Sequence, residues 1–225
     1  MNKVHNSIVA FLGPSYPRFL AQKVLDADYR PPAKKGDIKH AAINGAKTII
    51  LIDAYLVYEY PPSPMEVYEV ISQGVKVIGT ASLGALRAVE LRKHGMLGSG
   101  WVYENYLNRS IDSDDEVVTS LDSKTDKGTT LPLVRVRYAA SKLIAEKKLS
   151  RVQAKNLIEY LRSIYFEKRT KACIKLAAQK CSLSNDIAER LLSEEFDIKA
   201  IDTLDCLHRL AHNKKNIKAL GDPLQ

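Results

Sequence analysis

Ser82 stands in the run Val77-Ile78-Gly79-Thr80-Ala81-Ser82-Leu83-Gly84-Ala85-Leu86-Arg87, where a β-branched stretch gives way to small residues. That change predicts a strand turning sharply into a helix, with the serine on the turn. In an open α/β sheet such a junction lies at the carboxyl edge, where ligands bind. The N–H groups that follow, Leu83 and Gly84 first, are expected to be free and able to hold an oxyanion. The pattern has the logic of a nucleophile elbow without the GxSxG string. The plainer alternative is a serine that only caps its helix.

A serine nucleophile needs a base, and no histidine is well placed for it: His5 is terminal, and His40 and His94 lie in polar helical surroundings. A lysine can serve if burial or nearby positive charge keeps it neutral. Lys34 and Lys35 lie between Pro31-Pro32 and Gly36-Asp37, on a loop leaving another expected strand. If that strand lies beside the Ser82 strand, the amine can reach the hydroxyl; otherwise they are two solvated loop lysines. Lys47 and Lys76 are further candidates.

Asp53 interrupts the apolar run of residues 48–56, so it must be paired, exposed at the strand end or functional. Arg87 and Glu90 share a helix side and either brace the site or pair with each other. Gly13-Pro14-Ser15 ends another strand and brings Ser15 to the same edge. The acidic run Asp112-Ser113-Asp114-Asp115-Glu116 reads better as a solvated loop or docking patch than as a metal site. No His/Cys group has zinc-ligand spacing, and neither GxGxxG nor GxxxxGK[ST] occurs. No metal or cofactor is expected, and a small-anion or nucleotide module is the weakest of three functional readings.

The elements that must position these residues alternate. Strands are expected over residues 7–12, 48–56 and 75–81, with an extended segment at 29–32. Helices are expected over 16–25, 36–46, 64–72 and 83–94. The alternation predicts an α/β fold, a mostly parallel sheet covered by helices in Rossmann-like layers. Residues 96–100 read as a glycine-containing turn, 101–107 as an aromatic segment, and 122–130 as a polar loop or hairpin tip. From about residue 133 the pattern is helical, with a capping box at Ser150-Arg151-Val152-Gln153 and further helices at 184–192 and 197–211. The division expected is an α/β core over 1–120 and a basic helical region over 133–225.

Charge and composition narrow the function classes. Residues 1–133 hold 15 Lys/Arg and 15 Asp/Glu, whereas 134–225 hold 19 and 11, so the excess of +8 is C-terminal. Solvated outer faces of Lys-rich helices explain it most simply; a face for an acidic protein, a leader peptide or nucleic acid is the alternative. No RNA- or DNA-binding pattern appears, so nucleic acid is not expected as a partner. No apolar run is long enough to span a membrane or to form a signal-peptide core. The odd set Cys173, Cys181 and Cys206, without CxxC spacing, fits a reducing cytoplasm.

Several segments together resemble the TfuA-like family: FLGPS, LDADYRPPAKKGDI, ILIDAYL, GVKVIGTASLGALRAVEL, HGMLGSG and DDEV, which cover most of residues 8–118 in family order. The resemblance implies an accessory protein of peptide-backbone thioamidation that works with a YcaO-type enzyme. It implies hydrolysis of a thiocarboxylated ubiquitin-like sulfur carrier at a Ser–Lys site, and help for the YcaO-type enzyme in engaging its peptide. On that reading Ser82 is the nucleophile, Lys34 or Lys35 the base, and the Leu83 and Gly84 N–H groups the oxyanion site. The alternative of another class is a non-catalytic adaptor that docks the YcaO-type enzyme and peptide through the basic helices.

Overall fold

A computed structural model describes residues 7–57, 59–122 and 128–219. The chain divides into two compact units: residues up to Ser110 together with those from Asp202 onward, and Ile111–Ile201. The first unit holds the expected parallel, helix-covered sheet. Its strands are β1 (Ile8–Phe11), β2 (Asp28–Arg30), β3 (Thr48–Leu51), β4 (Lys76–Thr80) and β5 (Leu97–Ser99), in the order β2-β1-β3-β4-β5 and parallel throughout. This is a doubly wound order, whose switch point lies between β1 and β3.

Helices α1 (Arg18–Val24), α2 (Asp37–Ile43), α3 (Pro64–Ser72), α4 (Leu83–Leu91) and α5 (Trp101–Leu107) complete the N-terminal run. A parallel strand is buried on both sides, so both sets of alternating side chains must be apolar. Val9, Phe11, Ile49, Leu51 and Val77 pack with Ile38 and Ala41 of α2, Val67 and Val70 of α3, and Ala88 and Leu91 of α4. The intervening Ala10, Leu12, Ile50, Ile52 and Ile78 pack with Ala21 of α1 and with Cys206 and Leu207 of α10 (Ile198–Ala219). The last helix therefore covers one face of the sheet.

Two elements differ from expectation. The segment read as a turn at 96–100 contains β5, a short edge strand; Gly98 disguises it, yet a side chain there would strike the Tyr103 ring. The apolar run after residue 48 leaves the ladder at Leu51, because the chain beyond β3 takes other partners. The Ile52 carbonyl accepts the Gly84 N–H, and Ala54 bridges Ala33 in parallel.

The second unit is helical: α6 (Leu133–Ala145), α7 (Arg151–Arg162), α8 (Lys171–Lys180) and α9 (Asn185–Leu191), around a core that includes Leu143, Leu157, Ile174 and Leu191. The expected capping box is formed: Ser150 Oγ accepts the Gln153 N–H, and the Gln153 side chain accepts the Ser150 N–H. Most described lysines and arginines of this region are exposed, as expected of solvated helix faces, but Arg135, Arg169 and Lys199 are buried. The acidic run is not a free loop either. Glu116 is fully buried and accepts from Nε and Nη2 of Arg137, at 2.9 and 2.7 Å. Asp115 pairs with Arg169 at 2.5 Å, and Asp112 pairs with Arg162 at 3.2 Å. Of the polar stretch at 122–130, residues 123–127 lie outside the described residues, and Leu121 bridges Gly128 antiparallel at its ends.

Candidate functional site at the carboxyl edge of the sheet

Ser82 lies at the junction of β4 and α4, only 4% exposed. Its hydroxyl makes no cap bond to the helix it opens. Capping thus does not account for the serine. The turn is tight: Ala81 has φ 63°, left-handed backbone that a Cβ disfavours, and the Ser82 N–H reaches back to Thr80 O at 2.7 Å. Two glycines let α4 descend onto the strands. A Cβ on Gly79 would sit 2.0 Å from Gly84 O, and one on Gly84 would sit 1.8 Å from Leu51 O.

The two expected oxyanion donors differ. The Gly84 N–H is already engaged, donating to Ile52 O at 3.3 Å, so it is not free as the sequence suggested. Among the described residues no backbone carbonyl takes the Leu83 N–H. The first turn of α4 carries no acidic side chain.

The neighbouring N–H clusters are filled by the protein's own carboxylates. Asp53, buried beyond β3, accepts the Gly13 and Ser15 N–H groups on Oδ2 at 2.9 and 3.1 Å and the Ser15 hydroxyl on Oδ1 at 2.6 Å. Asp53 and Ser15 are thus brought together at the switch point. Glu66 of α3 accepts from Gly36, Ile38 and Lys39 at the start of α2. Asp202 of α10 accepts the Trp101 and Val102 N–H groups, both at 2.8 Å, at the start of α5. Burial raises the Asp202 carboxyl to about 6 against the pull of those two donors. These caps join residues 27 to 101 apart, and no local pattern in the sequence signals them. Occupied cradles leave the phosphate-module reading without its anion site at these three places.

β2 is not adjacent to β4; β1 and β3 lie between them. The lysine loop nevertheless crosses the end of β1. Ala33 N–H donates to Asp53 O at 2.9 Å, Tyr55 N–H donates to Ala33 O at 3.0 Å, and Gly13 lies so close beneath Pro32 that a Cβ would strike its ring. Lys34 and Lys35 therefore follow directly from a bridge to residues 53–55, and the Ser82 turn is tied to Ile52. Both attach to the same short stretch of chain. The Lys34 side chain is half exposed, with Nζ 3.9 Å from Glu59, and Lys35 is exposed, with its N–H on Tyr60 O at 2.7 Å. Arg87 and Glu90 pair directly through Nη1 and Oε2 across one helix turn.

No group of three or more His, Cys, Asp or Glu is placed to hold a metal among the described residues. Among them, too, no helix is long and apolar enough to cross a membrane.

A family model described as TfuA-like protein matches residues 53–170, more than half of the chain. The chain belongs to the TfuA-like family. Among curated proteins, none matches it. The TfuA-like span begins at Asp53 and takes in Glu66, Ser82, Leu83, Gly84, Arg87 and Glu90. It also covers the buried Glu116–Arg137 and Asp115–Arg169 pairs, whereas Ser15, Lys34 and Lys35 precede it. TfuA-like membership associates the chain with an accessory role in thioamidation.

Proposed function

We propose that this TfuA-like protein supplies sulfide for peptide-backbone thioamidation by hydrolysing a thiocarboxylated, ubiquitin-like carrier protein, and that it aids a YcaO-type enzyme in engaging its peptide. The observation that carries the reading is the Ser82 turn: a serine on a strained strand-to-helix junction whose hydroxyl does not cap its own helix. A second observation supports it. The lysine-bearing loop and the serine turn are anchored to one stretch, residues 52–55.

The chemistry needs only the chain's own groups. Once the bound carrier covers the loop and excludes water from it, an amine of Lys34 or Lys35 takes the Ser82 Oγ proton as Oγ bonds to the thiocarboxylate carbon. The tetrahedral oxyanion develops at the start of α4, next to the Leu83 N–H, with Gly84 contributing if its N–H leaves Ile52. Collapse breaks the C–S bond as the protonated lysine hands its proton to the departing sulfur; hydrosulfide leaves, an ester forms on Ser82 and the lysine is neutral again. The lysine then takes a proton from water as that oxygen attacks the ester, freeing the carrier's ordinary carboxylate and restoring the serine. A thiocarboxylate is anionic, and a helix start without acidic side chains suits it.

Sulfide release from a thiocarboxylated carrier tests the proposal. Ser82→Ala should lose at least about a hundredfold in rate while keeping its melting temperature and any binding to a YcaO-type enzyme. Equal release by both proteins overturns the hydrolase and leaves the non-catalytic adaptor.

A further inference from the structure

Glu66 is a buried carboxylate that the mechanism above leaves unused. It sits in the first turn of α3, where Ser63 Oγ accepts its N–H at 3.1 Å. Its side chain turns away from its own helix. Oε2 accepts the Gly36 N–H at 2.9 Å, and Oε1 accepts those of Ile38 and Lys39 at 3.1 and 3.4 Å. Three donors at the start of α2 thus converge on one carboxylate. Gly36 lies at φ 93°, open space that a glycine fills without strain, so the turn itself supplies little rigidity.

The loop that Glu66 grips is the one carrying Lys34 and Lys35. On the upstream side it is fixed by the Ala33–Ala54 bridge, and the Lys35 N–H is held by Tyr60 O. On the downstream side Asp37 closes a small turn, its carboxylate accepting the Lys34 N–H at 3.0 Å and its own N–H donating to Lys34 O, and Glu66 takes the amides of Gly36, Ile38 and Lys39. Exposed lysines have long, freely rotating stems, so the only control over where their amines can go is where their backbone is held. A displacement of about 1 Å in a reacting group can cost on the order of a hundredfold in rate.

We infer that Glu66 is the positioning residue for the lysine base: it sets the backbone from which Lys34 or Lys35 reaches Ser82, without touching substrate. The inference rests on the Ser–Lys reading. Its chemical logic is that a carboxylate accepts at both oxygens, whereas an amide of the same size accepts at one and presents a donor at the other. Glu66→Gln therefore sets an N–H₂ group against a backbone N–H and lets one side of the loop go.

The test is a double-mutant cycle on sulfide release, using the full chain and a thiocarboxylated carrier. Glu66→Gln should lower kcat about tenfold or more with KM within about twofold, and amide exchange at Gly36 and Ile38 should quicken. In the background of whichever of Lys34→Ala and Lys35→Ala slows release the more, the remaining rate should fall less than about twofold further. Losses that simply multiply, or a Glu66→Gln protein that turns over like the parent, overturn the inference. Should Glu66→Gln fail to fold, Ser63→Ala loosens the same helix turn more gently. It should give a smaller loss that again vanishes without the lysine, and a persistent loss there overturns the inference too. Absence of release from the unaltered protein would instead remove the hydrolase reading itself.

Discussion

The Asp53 carboxylate accepts the Ser15 hydroxyl at 2.6 Å, and both residues are buried where β1 and β3 end. The same carboxylate gathers the Gly13 and Ser15 N–H groups, so an anion from the chain itself occupies the crevice at the switch point. Asp53→Asn should cost about 1.5–3 kcal/mol, because its oxygen can keep the two N–H groups only as a neutral acceptor while its nitrogen turns to the Ser15 hydroxyl. Ser15→Ala, which removes one of the donors, should cost about 1 kcal/mol. Urea denaturation of the three proteins gives the comparison, and equal midpoints would remove Asp53 from this role.

The two glycines around Ser82 predict opposite outcomes from their neighbour. Gly84→Ala drives a Cβ into the Leu51 carbonyl and should cost more than about 3 kcal/mol or prevent folding. Ala81→Gly relieves left-handed backbone and should raise stability by roughly 0.5–1 kcal/mol. Thermal melts of both variants decide the matter; a stable Gly84→Ala would mean that α4 does not lie this close to β3.

Asp202 makes a pH-dependent contribution whose sign is fixed by its raised carboxyl, about 6 against an ordinary 3.8. The folded state binds the extra proton, so this contribution is fully present below about pH 4 and is lost as pH rises through about 6. Asp202→Asn can still cap one of the α5 N–H groups and has no such titration. Between pH 4 and 7 the variant should therefore gain on the parent by about 2–3 kcal/mol in urea midpoint-derived stability. A constant difference across that range would refute it.

In the helical unit, Arg169 is 1% exposed and donates to Leu161 O, Ile164 O, Asp115 O and the Asp115 carboxylate. Arg169→Ala strands these acceptors and should cost about 3–5 kcal/mol. Because Asp115, Glu116 and Asp112 each have an arginine partner, millimolar calcium or magnesium should not raise the melting temperature. A clear rise with either ion would show a metal site where ion pairs stand.

Local signals in the sequence were enough for β1, β3 and β4 and for most helices, but not for β5. The β-branched run ending at Thr80, the small residues after Ser82, and the Ser150–Gln153 spacing each carry their structure within a few residues. The strand order was not legible, since nothing in the residues before β2 says on which side of β1 it will lie. Nor were the functions of the carboxylates. Glu66 serves amides 27 to 30 residues upstream, and Glu116 serves a guanidinium 21 residues downstream, so only the folded chain brings the partners together. The N–H groups of Leu83 and Gly84 looked equivalent in sequence; the close approach of α4 to β3 distinguishes them by giving Gly84 a carbonyl.

The seam at Ala33, with one bond to Asp53 and one from Tyr55, has a thermodynamic consequence for whatever meets this rim. A floppy border must freeze when a guest arrives, and that lost freedom subtracts from affinity. Here the border is stitched beforehand, so most of the interaction a guest makes with it is retained as binding free energy.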